Sequence, residues 1–342
     1  MNKLDKLVQL LVNKGDFFMK SGKLNWDDLK YIIDNHKGAI REEVKVRNGI
    51  GEDCAVIDFG EDNCVISTDP ITGAEGNIGR LAVNINCNDM ASTGAEPLGI
   101  MVTILAPEDT EINEIKSIMK EIHEESEKLN LEIIGGHTEV TSAVNRMVVS
   151  CTVIGKTSKG KHISTSGAKV GDDIIITKDL ALEGTFILVN EHKEELKHIL
   201  TKEEMKEALK YIEEISVLKE GTIAAKLQVN SMHDITEGGL LGAAWEVAVA
   251  SSKGFLIYED LLPISEVTNK VCTYFRIDPL KLISSGSMFI TTENGEKLIE
   301  ELKIKGINAK IIGKITETEG YLISNGKKTL VNPPKRDELF KV

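Results

Sequence analysis

Two aspartates, Asp53 and Asp69, bracket the stretch of this 342-residue chain most able to do chemistry. The run from Gly49 to Phe59 and the run from Asn63 to Pro70 are apolar and β-branched, and Gly60-Glu-Asp lies between them. That pattern predicts a hairpin. With Phe59 facing Asn63, Asp53 sits opposite Asp69. Opposed like charges at ~5 Å repel by ~3 kcal/mol at an effective dielectric near 20. Such a pair is held by a cation, shares a proton or is widely solvated, and the hairpin alone does not choose among them. Oxygen ligands of this kind suit Mg²⁺.

Further polar groups recur at intervals along the chain. Residues 78–93 read as a helix ended by Gly94, yet Asn84, Asn86, Asn88 and Asp89 interrupt its apolar positions. Helix propensity does not select asparagine, so a face turned toward a ligand is expected. Gly135-Gly136 follows a predicted strand and opens a loop offering His137, Thr138 and Glu139. Gly238-Gly239 begins a helix, whose free backbone N–H groups suit an anion. His233, Asp234, Thr236 and Glu237 lead into it. Lys23, beside Gly22, is a further candidate for phosphate. The sequence has no Walker A pattern, dinucleotide fingerprint or nucleophile elbow. Asp53, Asp69 and Asp89 as metal ligands, with two glycine loops for phosphate oxygens, describe phosphoryl transfer in a cleft between domains.

The elements that must position these groups fall into five parts. Residues 1–45 form a helical arm, 46–156 an α+β domain, 157–169 a Gly/Ser/Thr/Lys-rich linker, 170–331 a second domain and 332–342 a tail. In the first domain, helices lie on one side of a mixed sheet. The sheet's other face needs cover, which argues for a homodimer. Strands are expected at 98–105, 131–134 and 146–155. The helix at 111–129 is amphipathic, with Glu121, Glu124, Glu125 and Glu127 on a solvated face. The net charge of −13 disfavours a nucleic-acid partner. The five scattered cysteines fit a reducing cytoplasm rather than a structural zinc site, although Cys54 and Cys64 could meet across the hairpin. No apolar run is long enough for a membrane span.

The motifs, taken in order, resemble the aminoimidazole ribonucleotide (AIR) synthase superfamily. They are Gly49-Ile-Gly-Glu-Asp-Cys-Ala, Ser67-Thr-Asp-Pro70, Asn86-Cys-Asn-Asp-Met-Ala-Ser-Thr-Gly-Ala-Glu-Pro97, Gly135-Gly-His-Thr138 and His233-Asp-Ile-Thr-Glu-Gly-Gly-Leu240. Asp278-Pro-Leu280 and the overall length bring the chain nearest to its HypE-type members. The resemblance implies a two-domain PurM-like fold: an N-terminal mixed-sheet domain closing a barrel across a homodimer, then an α/β C-terminal domain. It implies ATP with Mg²⁺ in the cleft, and phosphorylation of an oxygen, often a carboxamide oxygen, on a small substrate. Asp53, Asp69 and Asp89 match the acids that bind metal and phosphate. Asn88, Thr138, Asp234 and Thr236 match residues lining the nucleotide, beside Gly135, Gly136, Gly238 and Gly239.

Three departures set this chain apart from HypE. The sequence has no cysteine after Cys272, so carbamoyl-to-cyano dehydration on its own tail is not expected. His137 replaces a carboxylate of the family's Gly-Asp-Thr; either Glu139 substitutes as ligand or His137 acts in proton transfer. Glu237 stands where HypE has arginine. His137, Glu139, Asp234 and Glu237 are therefore the candidate catalytic set. A nucleotide-binding scaffold in a maturation complex with a protein partner is the alternative, and a thiamine-monophosphate kinase a further one.

Overall fold

A computed structural model describes residues 24, 26–36, 38–72, 76–333 and 336–342. Lys23 and most of the expected helical arm lie outside the described residues. The arm's described helix, α1 (Trp26–Asn35), stacks Trp26 on Trp245 with ring centroids 4.5 Å apart.

The first domain holds β1 (Val44–Val46), β2 (Ala55–Asp58), β3 (Asp62–Ile71), β4 (Glu96–Ala106), β5 (Glu132–Val140) and β6 (Val148–Ser158). They form one sheet in the order β1-β2-β3-β6-β4-β5, antiparallel except for β4–β5. Alternate residues Val65, Ile100, Val102, Val149, Cys151 and Val153 point inward, under helices α2 (Ile78–Thr93) and α3 (Ile112–Lys128). Met101, between two buried neighbours on β4, is 44% exposed on the opposite side.

The second domain's sheet uses β7 (Asp173–Thr177), β8 (Ser231–Asp234), β9 (Gly254–Tyr258), β10 (Met288–Thr292), β11 (Ala309–Thr316), β12 (Gly320–Ser324) and β13 (Lys327–Leu330). Its order is β13-β12-β9-β11-β7-β10-β8, with β9–β12 the parallel pair. Around it pack α4 (Leu182–Glu191), α5 (Lys193–Leu196), α6 (Lys202–Lys210), α7 (Leu218–Lys226), α8 (Gly239–Ser251), α9 (Glu266–Phe275) and α10 (Gly295–Ile304). The expected polar loop at 230–239 thus begins as a fully buried edge strand, β8. Among the described residues, no helix is long and apolar enough to cross a membrane.

Helix α2 explains its own unusual composition. Every residue from Ile78 to Thr93 except Arg80 is buried, so the helix has no solvated face to fill with Lys or Glu. Its asparagines tie it to its surroundings instead of facing a ligand, which corrects the expectation above. Asn84 donates to Glu125 at 3.1 Å, and Asn86 accepts from the Asp69 N–H at 2.8 Å and donates to the Asp69 carbonyl at 3.2 Å. Asn88 donates to the Ile215 carbonyl and accepts from the Val217 N–H, both at 2.9 Å, fastening the two domains together. Glu125 is itself buried beside Arg80 and Lys128, so it does not belong to the solvated face expected of α3.

The stretch read as a linker is also a packed element. Its first residues belong to β6, the Ile163 N–H bonds the Thr93 carbonyl, and Ser164 Oγ bonds Glu52 at 2.6 Å. A Cβ on Gly167 would lie 1.9 Å from the Asn230 carbonyl oxygen. All five cysteines are free thiols, so Cys54 and Cys64 form no disulfide.

Candidate functional site

The hairpin places its acids differently from the simplest register. Asp58, not Phe59, pairs with Asn63, because the Phe59 N–H reaches the Asp62 carbonyl and leaves a two-residue turn at Gly60-Glu61. Asp53 therefore precedes β2 and does not face Asp69 across a ladder. Ser67 draws the pieces together instead, donating to the Asp53 carbonyl at 3.1 Å and standing in short contact with the Asp89 carboxylate. Asn86 clamps the backbone of Asp69, and β8 delivers Asp234 from the second domain.

These carboxylates perturb one another. Burial, then Asp234, Asp53 and Asp69 in that order, push the Asp89 carboxyl well above its ordinary range. Asp234 is raised to about 7, chiefly by burial and next by Asp53. Such a group of acids takes up protons or a cation near neutral pH.

His233 was named with the polar run before Gly238-Gly239 but was given no role at the site. It is 2% exposed, with Nε2 2.8 Å from Glu246 and Nδ1 2.9 Å from the Asp53 carboxylate. Burial disfavours its charged form, but Asp53 and Glu246 outweigh that and raise its pKa well above the usual imidazole value.

A cleft of about 1120 Å³ opens between the domains. Asp53, Asp69 and Asp89 line one side, and Thr236, Glu237 and Ser285 line the other. The loop from Ser142 to Arg146 forms a further wall. Arg146 was expected inside a strand. β6 starts only at Val148, so this exposed guanidinium falls at the cleft instead. A lone Arg in a polar loop after a strand was its only signal.

The Gly238-Gly239 turn holds an anion, but the anion is the chain's own. Gly238 has φ 90°, and its N–H donates to the Asp337 carboxylate at 2.6 Å. Phe340, three residues on, lines the cleft. Asp337 thus stands where a phosphate oxygen was expected, at a helix N-terminus. If that seat serves phosphate, Asp337→Ala tightens nucleotide binding about tenfold by removing a charged competitor for one hydrogen bond. Calorimetry on both proteins checks this; unchanged affinity excludes the seat as a phosphate site.

Glu183, at the start of α4, lines a smaller adjoining cavity of about 340 Å³. Its Oε2 has no hydrogen-bond partner, and burial raises its carboxyl to about 7. Between the unfolded carboxylate value and about 7, the folded state holds a proton that the unfolded chain has released. Stability contributed by this group therefore falls as pH rises through that window. Glu183→Gln is expected to raise the melting temperature at pH 8 by a few degrees and to leave it unchanged near pH 4.

The other glycine pair is not at a loop. β5 runs to Val140, so Gly135, Gly136, His137, Thr138 and Glu139 are strand residues beside β4. The register skips at Ile134, which is a bulge, and a Cβ on Gly136 would lie 1.9 Å from the Val102 carbonyl oxygen. Packing alone accounts for that glycine. His137 and Glu139 lie 3.3 Å apart on this exposed edge strand, and none of the five residues lines the cleft. Nor does Asn88, whose amide is spent on the domain junction.

Residues 51–157 match the AIR synthase related protein N-terminal domain, and residues 169–324 match its C-terminal domain. A protein of Methanocaldococcus jannaschii named for hydrogenase expression and formation is 34% identical over 82% of this chain and 86% of its own length. The carbamoyl dehydratase HypE of Azotobacter vinelandii is 26% identical over 75% of this chain and 74% of that protein. The thiamine-monophosphate kinase of Pyrococcus abyssi is 27% identical, covering 82% of this chain and 87% of the kinase. Among solved structures, the HypE–HypF complex superposes with a TM-score of 0.72 at 24% identity, over 83% of this chain and 94% of that one. HypE in complex with ATP does so at 0.70 and 18%, over 93% and 97%. The two family matches together span most of the chain, which therefore belongs to the AIR synthase related proteins.

Proposed function

We propose that this chain is an ATP- and Mg²⁺-dependent enzyme that phosphorylates, and so activates, an oxygen of a small substrate such as a carboxamide. The observation carrying this reading is the convergence of Asp53, Asp69 and Asp89 on one cleft wall, facing Thr236 and Glu237 of the other domain. The donor set fits Mg²⁺, being carboxylate oxygens opening onto solvent-accessible space. Bound there, the ion would neutralise phosphate charge as the phosphoryl group moves. Arg146 would supply a positive group to the phosphates and Thr236 a hydroxyl; the Gly238 amide would serve only once Asp337 leaves it, and the Gly239 amide is held by the Thr236 carbonyl. Glu237, which lines the cleft, is the candidate proton-handling group at the reacting oxygen, while Asp234 lies buried beside the cleft acids and would act through them. Relatives support the nucleotide: one HypE structure is a complex with ATP, and a thiamine-monophosphate kinase structure holds AMPPCP.

A homodimer belongs to this proposal. Met101 on the outer sheet face and the exposed edge strand β5 would be covered by a second copy. Roles for Gly135, Gly136, His137, Thr138 and Glu139 at the nucleotide depend on that assembly, since these residues do not line the cleft of their own chain.

Calorimetry with ATP, ADP and AMP, each with and without millimolar Mg²⁺, tests the reading. Mg²⁺-dependent ATP binding, followed by ADP release with a carboxamide acceptor, is expected. Failure of every adenine nucleotide to bind overturns it. The Asp337 contact favours a second reading, a nucleotide-regulated scaffold whose tail guards the cleft. One HypE relative is solved in complex with HypF, so the partner sought here is a maturation protein. Nucleotide that binds without turnover, together with such a partner, identifies that case.

A further inference from the structure

We propose that the cavity lined by Glu183, beside the cleft, binds a small molecule with an apolar body and a protonated nitrogen, an ammonium or amidinium group that Glu183 holds. The proposal deepens the phosphoryl-transfer reading and rests on it only in naming that molecule the acceptor.

Glu183 stands in unusual company. Residues 182–189 of α4 are all buried, and apart from Glu183, Gly184 and Thr185 they are apolar. The glutamate is 3% exposed, and its Oε2 has no hydrogen-bond partner. Ser285 lies against the same carboxyl and favours its charged form, but burial opposes that form more strongly. An acid oxygen in such surroundings is costly until a donor meets it, and a cationic donor also cancels the charge.

The cavity around it suits a small organic molecule. Leu81 and Ile85 of α2, Ile187 and Leu188 of α4, and Leu339 and Phe340 of the tail make its walls apolar. Its volume of about 340 Å³ is that of a small ligand pocket. Glu191 and Glu237 add two more acids to the lining, against the Arg146 guanidinium and the His192 imidazole. Apolar walls around a buried acid select a buried carbon skeleton that carries a charged N–H donor. The position of that donor sets the molecule's direction. Ile71, Arg146, Glu237 and Phe340 line both the cavity and the cleft, whereas Glu183 lines the cavity alone. A molecule held by its nitrogen at Glu183 therefore turns its other end toward the cleft, beside Glu237 and Arg146.

Benzamidine, an amidinium on a small apolar ring, is the probe. It is titrated by calorimetry at pH 8 into the nucleotide-free full-length protein. A Kd below about 1 mM is expected, with no binding in that range for benzoate, which has the same shape and the opposite charge. Glu183→Gln keeps the shape and removes the charge, and should weaken benzamidine about tenfold, because a charge-assisted hydrogen bond is roughly twice as strong as a neutral one. Glu191→Gln, in the same cavity, should change the affinity less than twofold. Near-UV circular dichroism shows whether each variant stays folded. Should Glu183→Gln fail to fold, nuclear Overhauser contacts from the benzamidine ring to the Leu81 and Ile187 methyls of the native protein are the deciding measurement. No binding below about 1 mM, equal affinity for benzoate, an equal loss in Glu191→Gln, or absence of those contacts overturns the site. ATP binding without benzamidine binding overturns this site and leaves phosphoryl transfer standing; benzamidine binding without any adenine nucleotide does the reverse.

Discussion

Asp69→Asn is expected to cut Mg²⁺-dependent ADP release by roughly 10²-fold or more while leaving the melting temperature level or slightly higher. The two effects have one cause. Asp69 belongs to an acid group that raises the Asp89 and Asp234 carboxyls, so its charge opposes folding in the absence of a cation. The same charge is useful only when a cation and phosphates occupy the cleft. The amide is close in shape, and the Asn86 clamp holds the backbone at position 69, not its side chain. The substitution therefore removes charge without moving the strand. Asp62→Asn, at the exposed start of β3, serves as the control for a general change in hairpin charge. Turnover within twofold of wild type in Asp69→Asn excludes Asp69 as a metal ligand. A matching loss in Asp62→Asn excludes the local explanation.

How far the sequence carries such an argument depends on the range of the contacts involved. Hairpin β2–β3 and helices α2 and α3 were legible because periodicity and turn residues are local signals. Register was less so: Gly60 with φ 104° admits a two-residue turn, and one residue of slip took Asp53 off the ladder. The cleft still gathered Asp53, Asp69, Asp89, Thr236 and Glu237, which the motifs had singled out one by one. Composition failed where burial was total. Asparagines on a helix usually mean an unusual surface, but α2 is buried at every position except Arg80 and its amides serve tertiary hydrogen bonds, while Asp89 reaches the cleft. Gly135-Gly136 invited a ligand loop, whereas β4's backbone supplies the reason for Gly136. Asp337 and Glu246 were out of reach altogether. Asp337 acts on Gly238, far along the chain, and Glu246 meets His233 only because α8 folds back over β8.

Asn88→Ala should cost about 3 kcal/mol, the largest stability loss anticipated for a polar substitution here. Both ends of the Asn88 amide are used at 2.9 Å, one on the Ile215 carbonyl and one on the Val217 N–H. Asn88 is fully buried, so alanine leaves a backbone donor and acceptor with no water to replace the amide. Leaving a buried polar group unsatisfied costs ~1–3 kcal/mol, and two are orphaned together. Asn88→Asp does no better: a carboxylate can accept from Val217 but cannot donate to Ile215, and it adds charge beside Asp89. Two-domain unfolding need not be two-state, so a single denaturation midpoint is the wrong measure. Hydrogen exchange at the Val217 amide reads the clamp directly, and its protection should fall by about 10²-fold, the equivalent of 3 kcal/mol. The consequence for the cleft follows from the clamp's position. Asn88 adjoins Asp89, so the same turn of α2 joins the domains and presents a cleft acid. Loosening it should weaken nucleotide binding although every cleft-lining side chain remains, with affinity recovering on cooling. Native protection at Val217 in Asn88→Ala would show that the junction is held elsewhere, and that α2 positions the acids without coupling the domains.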